Sequence, residues 1–186
     1  VFEEVKSDER IKKIIFVREN NPSFEIEGAH NFRIVKMKSL SGLISLARCK
    51  FIFVTHSIAM DYSFRWGNKL FSVVKLSLKR HFIVNLWHGK PIKKLYALSN
   101  PQVKKRLDRV KYRQKERKYY KGLIVSSKID SYAMSAMFHP IKFDNVWLTG
   151  YPQNDFLCKK IANLPSYLAT QIQYIKRIKK DKKLIT

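Results

Sequence analysis

The chain has 186 residues, 45% of them apolar, a size and composition typical of a folded domain and not of a disordered tail. Its 38 basic and 14 acidic residues give a net charge of +24, which attracts nucleic acid, phosphate-rich substrates or an anionic membrane. A solvated basic surface would give the same charge. No apolar run approaches the ~20 residues of a membrane-spanning helix. Two distant cysteines argue against a disulfide framework, and Cys49, in an apolar run, is predicted to be buried.

Short apolar, β-branched runs alternate with helical patterns along the chain. The second run is followed by a predicted helix that Ser39 caps. Strands separated in this way are typical of a parallel sheet covered on both faces, so the sequence predicts an α/β fold. The predicted strands are residues 14–17, 32–35, 51–54, 82–86, 123–125 and 146–148.

Two basic segments interrupt this alternation. In residues 65–81 the apolar side chains share one helical face, which is typical of either a core-packing helix or a helix lying in a membrane interface. Residues 102–121 predict a long helix with interleaved tyrosines, which either exposes a solvated face or contacts lipid or phosphate. For a membrane-bound first segment, the contacting residues would be Trp66, Lys69, Lys75, Lys79 and Arg80.

The last part of the chain, residues 164–186, predicts a helix that starts at Pro165 and ends in a basic stretch. We expect a connector helix followed by the first strand of a second domain. The predicted first domain therefore covers residues 1–163. We also expect the natural protein to be longer than this chain.

The strongest candidate site lies in residues 85–94, because ligands of parallel sheets bind beyond the carboxyl ends of the strands. A buried strand there delivers His88 to such an end, and a histidine can act as a general base near neutral pH. Gly89 lets a ligand approach the backbone closely, and Lys90 and Lys93 add positive charge. A histidine packed in a strand-to-helix turn is the structural alternative.

Two other strand ends carry polar residues. Ser126 and Ser127 follow the fifth predicted strand, where hydroxyls ordinarily cap a helix and a phosphate contact is the alternative. A Gly-Tyr-Pro turn follows the sixth, and Asn154 or Asp155 could cap the next helix or lie near a phosphate-binding cleft. Among the remaining histidines, His56 alone shares a strand-end position with His88.

Signals of several other functions are absent from the sequence. It contains no phosphate-loop motif, no dinucleotide-binding glycine fingerprint and no Cys/His cluster with zinc spacing. No pair of carboxylates indicates glycoside hydrolysis. We therefore expect neither a metal nor a cofactor.

Together these motifs resemble the CDP-glycerol glycerophosphotransferase family, whose members build poly(glycerol phosphate) or poly(ribitol phosphate) chains of wall teichoic acids and some capsules. The family's Trp-His-Gly-Thr-Pro motif, followed by two lysines, is matched by residues 87–91 and the lysines after them. Its Gly-x-Pro-Arg-Asn-Asp motif is matched by residues 150–155. Lys90 replaces the usual Thr, and Gln153 replaces the usual Arg. The likeness runs from about residue 30 to the end.

The resemblance implies the N-terminal, acceptor-side half of a GT-B fold, in which two Rossmann-like domains enclose the active site. It implies that His88 is the catalytic base, which deprotonates a hydroxyl of a polyprenyl-pyrophosphate-linked acceptor. That hydroxyl attacks the β-phosphate of CDP-glycerol or CDP-ribitol and releases CMP. The expected substrate- and phosphate-binding residues are Gly89, Lys90, Lys93, Ser126, Ser127, Asn154 and Asp155.

The family's nucleotide-binding half does not follow in this sequence, so we expect a fragment that is inactive by itself. The resemblance also implies a peripheral protein on the cytoplasmic face of the membrane, which agrees with the charge. Three alternatives stay open: another GT-B glycosyltransferase that uses a sugar nucleotide, a nucleic-acid-binding module, and an inactive membrane-binding remnant. Because no recognised nucleic-acid motif appears, we expect no nucleic-acid partner.

Overall fold

The computed structural model describes residues 1–18, 26–58, 77–90, 95, 98 and 114–180. Helices and strands alternate through much of this part of the chain. The α-helices and strands are α1 (Phe2–Val5), β1 (Lys13–Val17), β2 (Phe32–Lys36), α2 (Leu40–Arg48), β3 (Phe51–Val54), β4 (Phe82–Asn85), β5 (Tyr120–Val125), α3 (Lys128–Met137), β6 (Val146–Leu148) and α4 (Ser166–Lys179). Short 3-10 helices cover Leu78–Arg80, Phe143–Asn145, Pro152–Cys158 and Ile161–Asn163.

The described strands form two parallel sheets. β1 pairs with β2, and the larger sheet has the order β3-β4-β5-β6. The predicted α/β class with parallel strands is confirmed, although the strands divide into two hydrogen-bonded sheets where one was expected. Because the strands of the larger sheet are parallel, their carboxyl ends lie along one edge, where the loops that follow them meet.

The core lies between the central strands and helix α3. Ile83 of β4 and Leu123 and Val125 of β5 have no exposed surface, and they belong to the same buried cluster as Met134 and Phe138. β5 is buried at all but one of its six positions, which explains its continuous apolar sequence. This packing fixes β4 and β5, and with them the start of the loops that follow.

Side-chain caps fix where two helices begin. Ser39 accepts a hydrogen bond from the Gly42 N–H at 3.0 Å at the start of α2, as predicted. Ser127 accepts one from the Asp130 N–H at 3.1 Å and starts α3. α4 follows Pro165, again as predicted. The two serine caps can be predicted from the sequence because each serine contacts a residue only three positions away.

Three local predictions need correction. Residues 102–113 lie outside the described residues and 114–117 are helical, but Tyr120 and Lys121 belong to β5, so no helix reaches residue 121. β4 ends at Asn85, one residue earlier than predicted. Cys49 is half-buried, and the partial burial raises the pKa of its thiol.

The membrane-facing segment predicted over 65–81 lies largely outside the described residues, including Trp66, Lys69 and Lys75. Its last part is the 3-10 helix Leu78–Arg80, which exposes Lys79 and Arg80 just before β4. The predicted final strand, residues 181–186, also lies outside them. Within the described part of the chain, no helix combines the length and the hydropathy needed to cross a membrane.

Candidate functional site

The chain turns sharply after β4 and leaves His88 on the surface. Trp87 has φ +49° and Gly89 has φ +149°, a value that favours glycine. The buried Asn85 side chain stabilises this turn, because its Oδ1 accepts the Trp87 N–H at 2.8 Å. The Trp87 ring packs edge-on against Phe138 inside the core, and the exposed His88 ring stacks on it at 4.1 Å between centroids. The His88 ring therefore rests on the buried Trp87 ring and faces solvent.

A second exposed histidine lies beside His88. His56 follows β3, and the centroids of the two imidazole rings are 4.9 Å apart. The Asn85 Nδ2 donates to the His56 carbonyl oxygen at 2.9 Å, so one amide contacts both loops. The Thr55 hydroxyl lies 3.2 Å from Nδ1 of His56. The predicted strand-end position of His56 is confirmed, and the structure adds its contact with His88.

The loop after β6 contacts the loop after β4. Gly150, at φ +78°, donates its N–H to the Val125 carbonyl at 2.9 Å and turns the chain back toward the sheet. The Gln153 side-chain amide then donates to the carbonyl oxygen of His88 at 3.3 Å. The hydroxyl of Tyr151 reaches the neighbouring Gly89 carbonyl. The backbone around the candidate base is thus held by the loop that follows β6 at the same edge of the sheet.

A cavity of about 430 Å³ opens between these loops. Its lining offers an ammonium group, hydroxyls and amides, which are the donors that phosphate oxygens prefer. The lining residues are Gly89, Lys90, Ser126, Tyr151, Gln153 and Asn154. The position of the cavity, beyond the carboxyl ends of β4, β5 and β6, is where parallel sheets bind ligands.

An acidic residue, Asp130, interacts with three residues that line the cavity, namely Lys90, Ser126 and Tyr151. The Ser126 hydroxyl donates to its Oδ2 at 2.5 Å, and this bond, with help from Ser127 and the charge of Lys90, holds the pKa of Asp130 below its ordinary value. Burial raises the pKa of Tyr151, and the negative charge of Asp130 adds to that effect. Because Ser126 already donates to Asp130, an anion in the cavity would compete with a carboxylate for that proton.

The structure brings together some of the predicted binding residues and not others. Gly89, Lys90, Ser126 and Asn154 line one cavity. The remaining predicted residues are not part of its lining: Ser127 caps α3, Asp155 is exposed elsewhere on its turn, and Lys93 lies outside the described residues.

The predicted capping role of Asn154 or Asp155 is wrong. The helix there is a 3-10 helix, Pro152–Cys158, which follows Tyr151 without a side-chain cap. Its first residue is Pro152, whose missing N–H needs no partner at this position. Both predicted capping residues instead lie inside the helical stretch.

Sequence reasoning gave no role to Asn85, Asp130 or Tyr151. One signal was available for the first: a carboxamide inside an apolar strand has to find hydrogen-bond partners once it is buried. Nothing near Tyr151 in the sequence reveals its partner, because Gly89 is 62 residues away. Gln153 appeared only as a departure from a motif.

A larger cavity of about 1300 Å³ is lined by residues of α1, β1, α2 and β3, by the start of α4 and by Leu86. Lys90 is not part of its lining, and many of its lining residues are aliphatic or aromatic. The smaller cavity is lined by Lys90 and by hydroxyl and amide side chains at the strand ends, and it lies next to His88, so it is the candidate site.

The fold and the site together form a pocket suited to phosphate, at the carboxyl edge of a parallel sheet. The family model described as CDP-Glycerol:Poly(glycerophosphate) glycerophosphotransferase matches residues 1–186, and the chain belongs to this family. The match also includes the first 30 residues, beyond the extent expected from the motifs. No curated protein sequence matches the chain.

Solved structures of the wall teichoic acid polymerase TagF share the fold. One matches with a TM-score of 0.64 at 13% identity, and a TagF variant soaked with CDPG matches with 0.65 at 15%. In both, the alignment covers 100% of this chain and 40% of the TagF chain. At such identities the likeness shows the fold, and it bears out the predicted GT-B half. The chain therefore spans less than half the length of these relatives.

Proposed function

We propose that this chain is the acceptor-side part of an enzyme that transfers glycerol phosphate or ribitol phosphate from a CDP-alditol to a lipid-linked acceptor. The observation that carries the proposal is the exposed His88, held by its backbone beside a cavity that contains Lys90, in a chain of the glycerophosphotransferase family. The family supports transferase chemistry on CDP-glycerol. The acceptor and the choice of alditol belong to the proposal.

In the proposed reaction, His88 takes the proton of a terminal acceptor hydroxyl. The hydroxyl oxygen forms a bond to the β-phosphorus of the CDP-alditol, and the bond from that phosphorus to the bridging oxygen breaks, so that CMP leaves with the electron pair. Phosphoryl transfer depends mainly on positioning and on stabilisation of charge. Lys90 would supply positive charge at the cavity, and the hydrogen bonds from Tyr151 and Gln153 would keep the His88 backbone in place.

We propose that residues 1–163 form the acceptor-side domain and that 164–186 lead towards a donor-binding domain. The support is indirect: the chain covers 40% of the TagF chain, and a TagF variant was soaked with CDPG. In this proposal the CDP moiety is bound mostly by protein outside the 186 residues, and the chain alone does not turn over. The proposed location is the cytoplasmic face of the membrane, supported by the net charge of +24.

The test is CMP release from CDP-glycerol by the full-length protein with a lipid-linked acceptor. Removal of a general base costs about 100-fold or more, so His88→Ala is expected to lose at least that much activity. The matched control is His30→Ala, because His30 is also exposed but precedes β2. Equal activity of His88→Ala and wild type would make His88 structural. If the wild type releases no CMP from either CDP-alditol, the substrate proposal fails and sugar nucleotides are tested next.

A further inference from the structure

The two histidines are brought together by the strand register. β3 and β4 are parallel neighbours in which Val54 pairs with Asn85. His56 lies two residues beyond the end of β3, and His88 three residues beyond the end of β4, so both leave the same edge of the sheet. Their rings then meet with 4.9 Å between centroids and a tilt of 31°. Both side chains are exposed and can contact a ligand.

Buried side chains hold the backbone next to this pair of histidines. Asn85 has 0% exposure, and its amide contacts both loops, the first through the His56 carbonyl at 2.9 Å and the second through the Trp87 N–H at 2.8 Å. On the far side of His56, the buried Glu116 accepts the Ile58 N–H at 2.8 Å. The backbone that follows the His56 side chain is therefore held by two buried side chains, at the His56 carbonyl and at the Ile58 N–H.

The chemistry of the pair suits an anion. Within the part of the chain that the structure describes, neither ring forms an ion pair with a carboxylate. The Thr55 hydroxyl lies 3.2 Å from Nδ1 of His56, and among the described residues none hydrogen-bonds to Nε2 of that ring. An imidazole ring can present an N–H group to a ligand. Phosphate oxygens accept short, charge-assisted hydrogen bonds from such a ring.

We propose that His56 and His88 form a phosphate subsite, in which His56 donates a hydrogen bond to a substrate phosphate oxygen while His88 faces the hydroxyl it deprotonates. The role of His88 in this pair rests on the proposed function, whereas the binding role of His56 does not. The phosphate is either the one nearest the acceptor terminus or the β-phosphate of the donor. Both offer the same oxygen chemistry, and separate probes distinguish them.

The test follows the imidazole resonances of the ¹⁵N-labelled full-length protein by NMR, with His56→Gln and His88→Gln used for assignment. Glycerol 3-phosphate stands for the acceptor end, CDP-glycerol for the donor, and glycerol is the uncharged control. We expect one phosphate probe or both to shift the His56 and His88 signals, while glycerol leaves them and His30 unmoved. His56→Gln should weaken that binding about tenfold, the loss expected for one charge-assisted hydrogen bond, and His30→Gln should not. Unmoved His56 signals with both phosphate probes, or unchanged affinity in His56→Gln, would overturn the proposal.

Turnover by the full-length protein separates this inference from the proposed function. His56→Gln is expected to raise KM for the phosphate-bearing substrate about tenfold and to change kcat much less than His88→Ala does. If His88→Ala abolishes turnover while His56→Gln leaves KM unchanged, the function stands and the subsite is wrong. If phosphate probes shift both rings but no CDP-alditol is turned over, the subsite stands and the function is wrong.

Discussion

The phenolic hydroxyl of Tyr151 donates a hydrogen bond to the carbonyl oxygen of Gly89 at 3.3 Å, which links two loops that are 62 residues apart in sequence. The amide of Gln153 does the same for the adjacent carbonyl of His88. These contacts hold the backbone on which the candidate base stands. They give the β6 loop a positioning role in addition to its place in the lining of the cavity.

Removal of these two contacts is expected to slow the reaction more than it weakens binding. Each is a neutral hydrogen bond worth about 0.5–1.5 kcal/mol, so Tyr151→Phe and Gln153→Ala should each lower kcat for CMP release about 2- to 10-fold. The exposed Tyr132 provides the control variant Tyr132→Phe, which should match wild type. Steady-state kinetics would contradict the positioning role if kcat stayed constant and only KM rose.

Asn85→Leu is expected to destabilise the fold. The substitution removes a fully buried amide and leaves the His56 carbonyl and the Trp87 N–H without their partner, a loss of about 1–3 kcal/mol. Urea denaturation measures the free energy of unfolding. The control is Asn163→Leu, because that asparagine is exposed. Equal losses in the two variants would show that the amide does not contribute through its buried hydrogen bonds.

Gly122→Ala tests the packing on the other face of β5. A Cβ at this position would lie 2.6 Å from the Trp147 ring, closer than carbon atoms approach. Overpacking of this kind costs about 1–3 kcal/mol. The double variant with Trp147→Leu should lose less stability than the sum of the two single variants, because the smaller side chain makes room. Additive losses in denaturation experiments would rule out this clash.

Tyr120 is expected to make stability depend on pH in the alkaline range. Burial first, and then the neighbouring Glu116 carboxylate, raise the pKa of Tyr120 well above its ordinary value of 10.0. The folded state therefore keeps this proton after the unfolded chain has lost it. The contribution to stability is complete below about pH 10, and it declines as the pH rises from there through the raised folded-state pKa.

The measurement is the free energy of unfolding from pH 8 to about pH 11 for wild type, Tyr120→Phe and Tyr132→Phe. Removal of the buried phenol should flatten part of the alkaline decline, whereas removal of the exposed one should not. Identical slopes in all three proteins would mean that Tyr120 does not keep its proton in the folded state.

The sequence predicted what depends on local patterns. Continuous apolar runs such as residues 123–125 identify buried parallel strands, and Ser39 signals a helix start because its partner is three residues away. The strand-end position of His88 followed from the same patterns. For this reason the fold class and the location of the site were predictable.

Long-range side-chain contacts were not predictable from these patterns. The Glu116 carboxylate accepts the Ile58 N–H from a position 58 residues later in the chain, and Tyr120 hydrogen-bonds to the same carboxylate. Residues 102–121 have a basic pattern typical of a helix, so a helix was predicted where β5 begins. Gln153 was noted only as a replacement for the usual Arg, and nothing in the sequence indicates that its amide binds the carbonyl of His88.

The order β3-β4-β5-β6 has a consequence for synthesis on the ribosome. Each new strand pairs with the one made just before it, so the sheet can grow at a single edge while the chain emerges. Tyr151 and Gln153 come after β6, and the carbonyls of His88 and Gly89 receive these partners only then. A nascent chain that stops before residue 150 would contain both histidines but not the loop that secures the second one.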